Sequence, residues 1–302
     1  MITQALINSR FGVAAALTLG RILPPPVGYR LAQFASGRLA ARRQLPMVQA
    51  VRLNQWVASG YQASSAQLDQ AVRLVFANTA RCIYDLYHNL HDPNRIEARL
   101  QYTPQARAIF KEWPVEAGGL LILGIHLGNF DLVMHILGRS GLRALVLSYP
   151  QPGKAYRWQN EMRQKAGLEL LPASTASLRR AVKRLQCGGI VATGIDRPLP
   201  DAKLRPSFFG RPSALPVSHV SLALLAKVPV VVAASIVQPD GTYRIEGTPP
   251  ITLQPHPDRQ VELVSNAGLI LEAAAGFITQ APEQWAMFYP VWPEAASEVP
   301  YS

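Results

Sequence analysis

The pattern of apolar and polar positions divides the chain into a helical first part and a second part in which strands alternate with helices. In the first part, apolar residues recur at three- and four-residue spacing, which is typical of amphipathic helices. A serine pair at Ser64 and Ser65 supplies an N-cap for the last of them. We predict a helical region over residues 1–92, with helices at 26–39, 46–59 and 65–90.

In the second part, short runs rich in β-branched residues alternate with segments of helical period. This alternation is typical of an α/β sheet covered by helices on both faces. The predicted strands are 120–125, 143–148, 168–171, 190–195, 230–237 and an antiparallel edge strand at 243–247. The predicted helices are 103–112, 130–137, 155–166, 174–186, 216–227 and 259–280.

The length of 302 residues allows one large domain or two small ones. We predict a single domain over residues 1–302, with an α/β core at 115–302 built on a mostly parallel central sheet flanked by helices. Ligands in such sheets bind at the carboxyl ends of the strands, which makes the residues that follow each predicted strand candidates for a functional site.

One polar segment follows the strand at 120–125. His126 comes directly after it, Gly128 and Asn129 form a turn, and Asp131 lies in the first turn of the next helix. A carboxylate at that distance can fold back onto one ring nitrogen and leave the other nitrogen as a base. The alternative is a turn histidine beside an aspartate that caps a helix.

The charge balance indicates a partner of opposite sign. The chain has 30 Lys and Arg against 19 Asp and Glu, a net charge of +11, although charged residues are only 16% and hydrophobic ones 49%. A few, mostly positive charges on an apolar protein suit an anionic membrane or a nucleic acid. The excess is arginine scattered along the chain rather than lysine clusters, so we predict membrane lipids and no nucleic acid as partners.

No segment reaches the roughly 20 apolar residues that a spanning helix needs. Residues 11–20, between Arg10 and Arg21, are an apolar run with basic flanks, which indicates a helix lying in the membrane interface. A signal peptide and an ordinary packed helix are the alternatives. Cys82 and Cys187 fit neither a metal nor a redox motif, and we predict no metal and no cofactor.

Three blocks of sequence carry a resemblance to a known family. His126 to Asp131, His-Leu-Gly-Asn-Phe-Asp, resembles the His-x4-Asp/Glu motif of glycerolipid-type acyltransferases, in the form found in the lipid A biosynthesis (lauroyl/myristoyl) acyltransferase family. The phosphatidylinositol mannoside acyltransferases share the form that ends in Asp. The other blocks are an Asn-x-x-Arg-x-x-x-Gly helix at 160–167 and a Phe-Phe-Gly-x-Pro turn at 208–212, and residues 282–285 resemble the closing Pro-Glu-x-Trp segment.

The resemblance implies an O-acyltransferase at the cytoplasmic face of the inner membrane, peripheral or anchored in the interface. It would move a fatty acyl group from acyl-CoA or acyl carrier protein to a hydroxyl of a glycolipid or lysophospholipid. His126 would be the general base and Asp131 its orienting acid. The Glu-Gly-Thr-Arg phosphate motif of the glycerol-phosphate branch is missing, which argues against glycerol 3-phosphate as the acceptor.

Two arginines are candidates for binding the substrate. Arg163 maps on the arginine of the family's helix and offers donors for a phosphate or an oxyanion, or is a solvated helix residue. Asp196 and Arg197 follow the strand at 190–195 and face the same crevice as His126. Asp196 would orient Arg197 or the acceptor hydroxyl, or form a salt bridge within the turn.

The remaining candidates lie in two turns. Phe208 and Phe209 would line an acyl slot or pack in the core, while Gly210 makes the turn and Arg211 would bind phosphate. Backbone N–H groups near Gly128 and Asn129 would help Arg163 or Arg197 to stabilise the oxyanion.

Two other classes of function fit parts of the pattern. An acyl thioesterase would use the same His–Asp pair with water as the nucleophile. A non-catalytic basic protein that binds membranes would explain the charge alone.

Overall fold

The structure is a computed structural model that describes residue 18 and residues 20–90, 96–150, 154–199 and 201–301. The predicted interfacial segment 11–20 therefore lies almost entirely outside the described residues. The three predicted N-terminal helices are confirmed as α1 (Pro25–Ala40), α2 (Pro46–Ala58) and α3 (Ser65–Asn89). Ser64 caps α3: its hydroxyl accepts the N–H of Gln67, whose side chain accepts the N–H of Ser64.

A seven-stranded sheet forms the centre of the second part and confirms the predicted α/β fold. Its strands are β1 (Leu100–Tyr102), β2 (Leu120–Gly124), β3 (Ala144–Ser148), β4 (Glu169–Pro172), β5 (Ile190–Gly194), β8 (Val230–Val237) and β9 (Tyr243–Gly247). Their order in the sheet is β1-β9-β8-β2-β5-β3-β4, in which β8, β2, β5, β3 and β4 run parallel and β9 and β1 run the opposite way. A separate hairpin joins β6 (Ser207–Phe208) to β7 (Arg211–Pro212).

Strand β9 corrects one prediction. It is antiparallel to β8 as expected, but it is not the edge, because β1 pairs along its other side. The three residues of β1 are too few for a period of two to be visible in the sequence.

The helices of the second part follow the predicted order, with shifted ends. They are α4 (Pro104–Phe110), α5 (Phe130–Arg139), α6 (Lys154–Lys165), α7 (Thr175–Gln186), α8 (Ser218–Ala226) and α9 (Arg259–Gln280), and short 3-10 turns occupy Val115–Ala117, Pro282–Gln284 and Pro293–Glu298. Helix α8 begins at Ser218 rather than at Pro216, and α5 continues past Gly138.

Helices cover both faces of the sheet. On one face, Leu121, Val191 and Val232 share a buried cluster with α7, α8 and α9. On the other face, Ile122 packs near α4 and Val146 near α5. Within the described residues only α9 is long and apolar enough to cross a membrane, and its buried residues lie in the cluster under the sheet.

Candidate active site

Strand register brings His126 and Asp196 together. Strands β2 and β5 pair in parallel with Gly124 opposite Gly194, and each of the two polar residues lies two positions beyond its glycine. The two side chains therefore leave neighbouring strands at the same level of the carboxyl edge, where parallel sheets bind ligands.

The two side chains form a close hydrogen-bonded pair. Nδ1 of His126 lies 2.7 Å from Oδ1 of Asp196, and the backbone N–H of His126 donates to Oδ2 over 2.8 Å. Asp196 is fully buried, whereas the side chain of His126 is 24% exposed. Because the carboxylate accepts the Nδ1 proton, Nε2 is left with its lone pair, in the arrangement of a general base and its orienting acid.

Electrostatics favour a charged pair. Burial lowers the pKa of His126, but the charge of Asp196, its hydrogen bond and the charge of Asp131 outweigh burial, so the pKa lies above its ordinary value. Burial raises the pKa of Asp196, but the charge of His126 and hydrogen bonds from His126 and Trp285 hold it below its ordinary value. The imidazolium that forms when His126 takes a proton is therefore stabilised in place.

Asp131 does not make the predicted contact with His126. Its carboxylate lies in the first turn of α5 and accepts from Arg163, whose Nε is 3.0 Å away and whose Nη2 also contacts it. The contact that we predicted for Asp131 is made by Asp196, and Asp196 in turn forms none of the predicted bonds with Arg197. The reason is register, which places Asp196 beside the ring, while α5 directs Asp131 towards α6.

Arg163 is buried and its nitrogens are occupied. Besides Asp131, its Nη1 donates to Oδ1 of Asn160 over 2.9 Å, and Asn160 reaches the hydroxyl of Ser148 at the end of β3 over 3.4 Å. The guanidinium thus joins α5, α6 and β3 next to the site. This use of its donors differs from the phosphate or oxyanion contact that the sequence suggested.

Arg197 does face the same crevice as His126. Its guanidinium lies 4.0 Å from the centroid of the Tyr149 ring and 4.4 Å from that of Tyr289, and it donates to the hydroxyl of Tyr289 over 3.1 Å. Among the residues that the structure describes, no carboxylate forms an ion pair with it. Aromatic rings, rather than an acid, hold this cation, so its charge is available to an anion.

An apolar cavity of about 290 Å³ opens beside His126. It lies between the sheet and α5, and Arg197, Tyr149 and Tyr156 contribute to its polar end. Small residues such as Gly124 and Gly194 leave room for it directly beside the ring, with the Cβ position of Gly194 3.6 Å from Cε1 of His126. Its apolar lining includes Ile122, Phe130, Val133, Met134, Leu137, Val146, Ala192 and Ala233.

Gly128 and Asn129 shape the turn after His126 instead of lining the cavity. Gly128 has a φ of 59°, and a Cβ there would lie 2.2 Å from the carbonyl oxygen of Ser235. Its N–H donates to the carbonyl of Gln284 over 3.1 Å, so it is not free for an oxyanion. The buried Asn129 caps α5 and donates to the carbonyl of Cys82 over 3.1 Å.

The Phe208 turn does not line the cavity. Phe208 is buried and packs against Phe209 and Trp292, which corresponds to the core-packing alternative and not to the acyl slot. Gly210 has a φ of 75° in the turn between β6 and β7. Arg211 forms an ion pair with Glu298 at 2.8 Å, so the predicted phosphate contact has a competing partner on the chain itself.

Sequence reasoning missed the tyrosines around Arg197 and also the residue that holds Asp196 from its other side. Nε1 of Trp285, in the closing Pro-Glu-x-Trp segment, donates to Oδ2 of Asp196 over 2.9 Å. The next residue fixes the histidine from the other side, since the N–H of Ala286 donates to the carbonyl of His126 over 2.8 Å. The resemblance of this segment to the family was the only signal, and it did not indicate a contact with the acid.

The chain matches a known protein family. The family model described as bacterial lipid A biosynthesis acyltransferase matches residues 3–294, which is nearly the whole chain. A comparison with curated proteins finds no match. Within the described residues, no group of three or more His, Cys, Asp or Glu side chains is arranged to hold a metal ion.

Proposed function

Because the chain belongs to the bacterial lipid A biosynthesis acyltransferase family, and is therefore a lipid acyltransferase, we propose that it moves a fatty acyl group from acyl-CoA or acyl carrier protein to a hydroxyl of a glycolipid or lysophospholipid. The observation that carries this proposal is the position of His126. Its Nδ1 is held by a buried acid, which leaves Nε2 to act as the base, and an apolar cavity begins at its ring.

In the proposed reaction His126 is the general base. Nε2 takes the proton of the acceptor hydroxyl while the hydroxyl oxygen attacks the thioester carbonyl, a type of assistance that typically contributes ~10²–10⁴-fold. Asp196 stabilises the imidazolium that forms. When the tetrahedral intermediate collapses, the carbon–sulfur bond breaks and the departing thiolate takes the same proton from the imidazolium.

The cavity would receive the acyl chain. Apolar side chains line it on both sides, and each methylene that leaves water contributes about 0.8 kcal/mol. A chain that lies there with its carbonyl beside Nε2 also keeps water from the reacting carbon, which favours transfer over hydrolysis.

Arg197 would stabilise negative charge at the polar end of the cavity. The tyrosine rings on either side hold the guanidinium next to His126, and its charge lowers the pKa of that histidine. An oxyanion or a phosphate group of the donor or acceptor fits this position, because a preorganised cation needs no reorganisation when the charge develops.

The proposed location is the cytoplasmic face of the inner membrane. The family is membrane-associated in bacteria, and the net charge of +11 suits an anionic lipid surface. A peripheral attachment is in keeping with these features.

The reaction can be tested by incubating the purified protein with radiolabelled palmitoyl-CoA and a total lipid extract of the source cell. A labelled lipid product that forms with the native protein and not with H126Q would support the proposal. Labelled free fatty acid without any acylated lipid would identify a thioesterase instead. If palmitoyl-CoA gives no product, palmitoyl acyl carrier protein is tested, and failure of both donors would overturn the proposal.

A further inference from the structure

Helix α1 presents an apolar stripe to solvent. Val27, Leu31 and Phe34 are exposed by 51%, 44% and 61%, and their spacing of four and three residues places them on one face of the helix. The opposite side of α1 is fixed to the protein: Gly28 is buried against the ring of Tyr84, and the hydroxyl of Tyr29 donates to Asp85 over 2.6 Å. The helix is therefore docked on α3 with an exposed apolar face outwards.

The part of the chain that carries this stripe contains charges of one sign only. Residues 1–68 contain seven arginines, no lysine and no acidic residue. Arg30 and Arg38 are exposed on α1 itself, and the guanidinium of Arg38 lies 4.9 Å from the centroid of the Phe34 ring. An apolar stripe with basic flanks is the pattern of a helix that lies in a membrane interface.

We propose that the Val27–Leu31–Phe34 stripe of α1 is the surface by which the protein docks on an anionic lipid bilayer. Charge complementarity favours this occupant over a second copy of the chain. A two-fold symmetric contact through the stripe would bring the arginines of one copy against those of the other, whereas an anionic bilayer supplies opposite charge.

The position of α1 gives this surface a role in the reaction, and in this respect the inference rests on the proposed function. Helix α3, on which α1 is docked, also accepts through the carbonyl of Cys82 a hydrogen bond from Asn129, three residues beyond His126. A bilayer bound at α1 is thus separated from the catalytic turn by a single helix, which suits an enzyme whose acceptor is a membrane lipid.

The test compares two triple variants that each replace three exposed apolar residues. V27S/L31S/F34S removes the stripe, and L225S/V261S/L269S removes similar residues on α8 and α9. Binding is measured by co-sedimentation with vesicles of phosphatidylcholine alone and of an equimolar mixture with phosphatidylglycerol. We expect the first variant to bind the mixed vesicles about tenfold more weakly than the native protein, and the second to bind like the native protein.

A charge-reversal variant tests the same surface independently, in case the triple variant does not fold. R30E/R38E keeps the stripe and should lose binding to the mixed vesicles while its weak binding to phosphatidylcholine is unchanged. Native-like binding by both α1 variants would overturn the proposal. So would a change from dimer to monomer in V27S/L31S/F34S without a change in vesicle binding, which would identify a second copy as the occupant.

The proposed docking surface and the proposed reaction can be tested independently of each other. Acyl transfer from a short-chain, water-soluble acyl-CoA to a short-chain lysophospholipid below its critical micelle concentration, measured without vesicles, should be the same in V27S/L31S/F34S and the native protein. H126Q should bind the mixed vesicles like the native protein while it fails to transfer the acyl group. If no acyl transfer is found with any protein but the stripe still controls vesicle binding, the docking surface stands and the proposed reaction does not.

Discussion

Two pairs of a carboxylate and a nitrogen base, His126–Asp196 and Arg163–Asp131, lie within the same crevice. They differ in whether the base keeps a nitrogen atom that a substrate could contact. In the His126–Asp196 pair the acid is buried and the base keeps one ring nitrogen for a substrate. In the Arg163–Asp131 pair the base is buried and its nitrogens bind Asp131 and Asn160. The first pair is built to exchange a proton, and the second to hold α5 against α6. Two pairs of similar residue types therefore have different roles. The pair with a free ring nitrogen can take part in chemistry, and the pair whose nitrogens are all bonded holds two helices together.

The largest effect on acyl transfer is expected when the proton acceptor, His126, is replaced. H126Q should lower acyl transfer by about 10²–10⁴-fold, because the general base is lost while the polar side chain still fills the site. Some stability should also be lost, because the fully buried Asp196 loses its contact with Nδ1, but the backbone N–H of residue 126 and the indole of Trp285 still donate to this carboxylate. Transfer is measured with radiolabelled donor, with H256Q as the control at an exposed histidine. Native activity in H126Q would remove the histidine from the mechanism.

The next effect concerns the orienting acid. D196N should lower the transfer rate by about a hundredfold, because an amide does not fix the Nδ1 tautomer as a carboxylate does. The acidic limb of the rate–pH profile should also move to lower pH, since Asp196 raises the pKa of His126 and its loss lowers that pKa. D131N should leave most of the rate intact. If D131N lost as much rate as D196N, the two roles would have been assigned the wrong way round.

Disrupting the Arg163–Asp131 pair should mainly lower the free energy of unfolding. D131N leaves the buried Arg163 without its carboxylate, and breaking a buried pair in this way costs about 3 kcal/mol. Urea unfolding measures the loss, and E169Q, in the exposed pair with Arg180, serves as the matched control with an expected change below about 1 kcal/mol. The double variant D131N/R163M should recover part of the stability, which a pair without coupling would not show.

The smallest effect is expected at the cation beside the first pair. R197Q should lower transfer by about tenfold, because one charge that faces the developing oxyanion or phosphate is removed while the base remains. Stability should be nearly unchanged, since no carboxylate among the described residues depends on this arginine. Steady-state kinetics with R205Q as the control measure the difference. An unchanged rate together with an unchanged KM would exclude Arg197 from substrate binding.

The contrast between the two pairs also shows which parts of the fold and of the site can be predicted from the sequence. Helices and strands follow from local periodicity, which is why α3, β8 and α9 were predicted almost to the residue. The partner of His126 depends on which strands are neighbours, and periodicity does not contain that information. Asp131, five residues away, was the nearest acid in sequence, whereas Asp196 is nearest in space.

One signal for the true partner was present in the sequence. Strand β2 ends at Gly124 and is followed by Ile125 and His126, and β5 ends at Gly194 and is followed by Ile195 and Asp196. The same Gly-Ile-x pattern therefore closes both strands. Because Gly124 and Gly194 lie opposite each other in parallel strands, residues two positions beyond them lie side by side at the edge of the sheet. The Phe208 turn offered no such signal, because adjacent aromatic residues before a glycine fit a core turn as well as an acyl slot.

The hydrogen bond from Trp285 to Asp196 has a consequence for the order in which the enzyme becomes active during its synthesis. His126 leaves the ribosome 70 residues before its acid and Asp196 a further 89 residues before the indole that holds it. At roughly 5–20 residues per second, the histidine waits several seconds for a partner. A nascent chain halted short of residue 285 would carry the complete His-x4-Asp motif with its catalytic acid incompletely held. Acyl transfer is thus delayed until nearly all of the fold that directs it has been made.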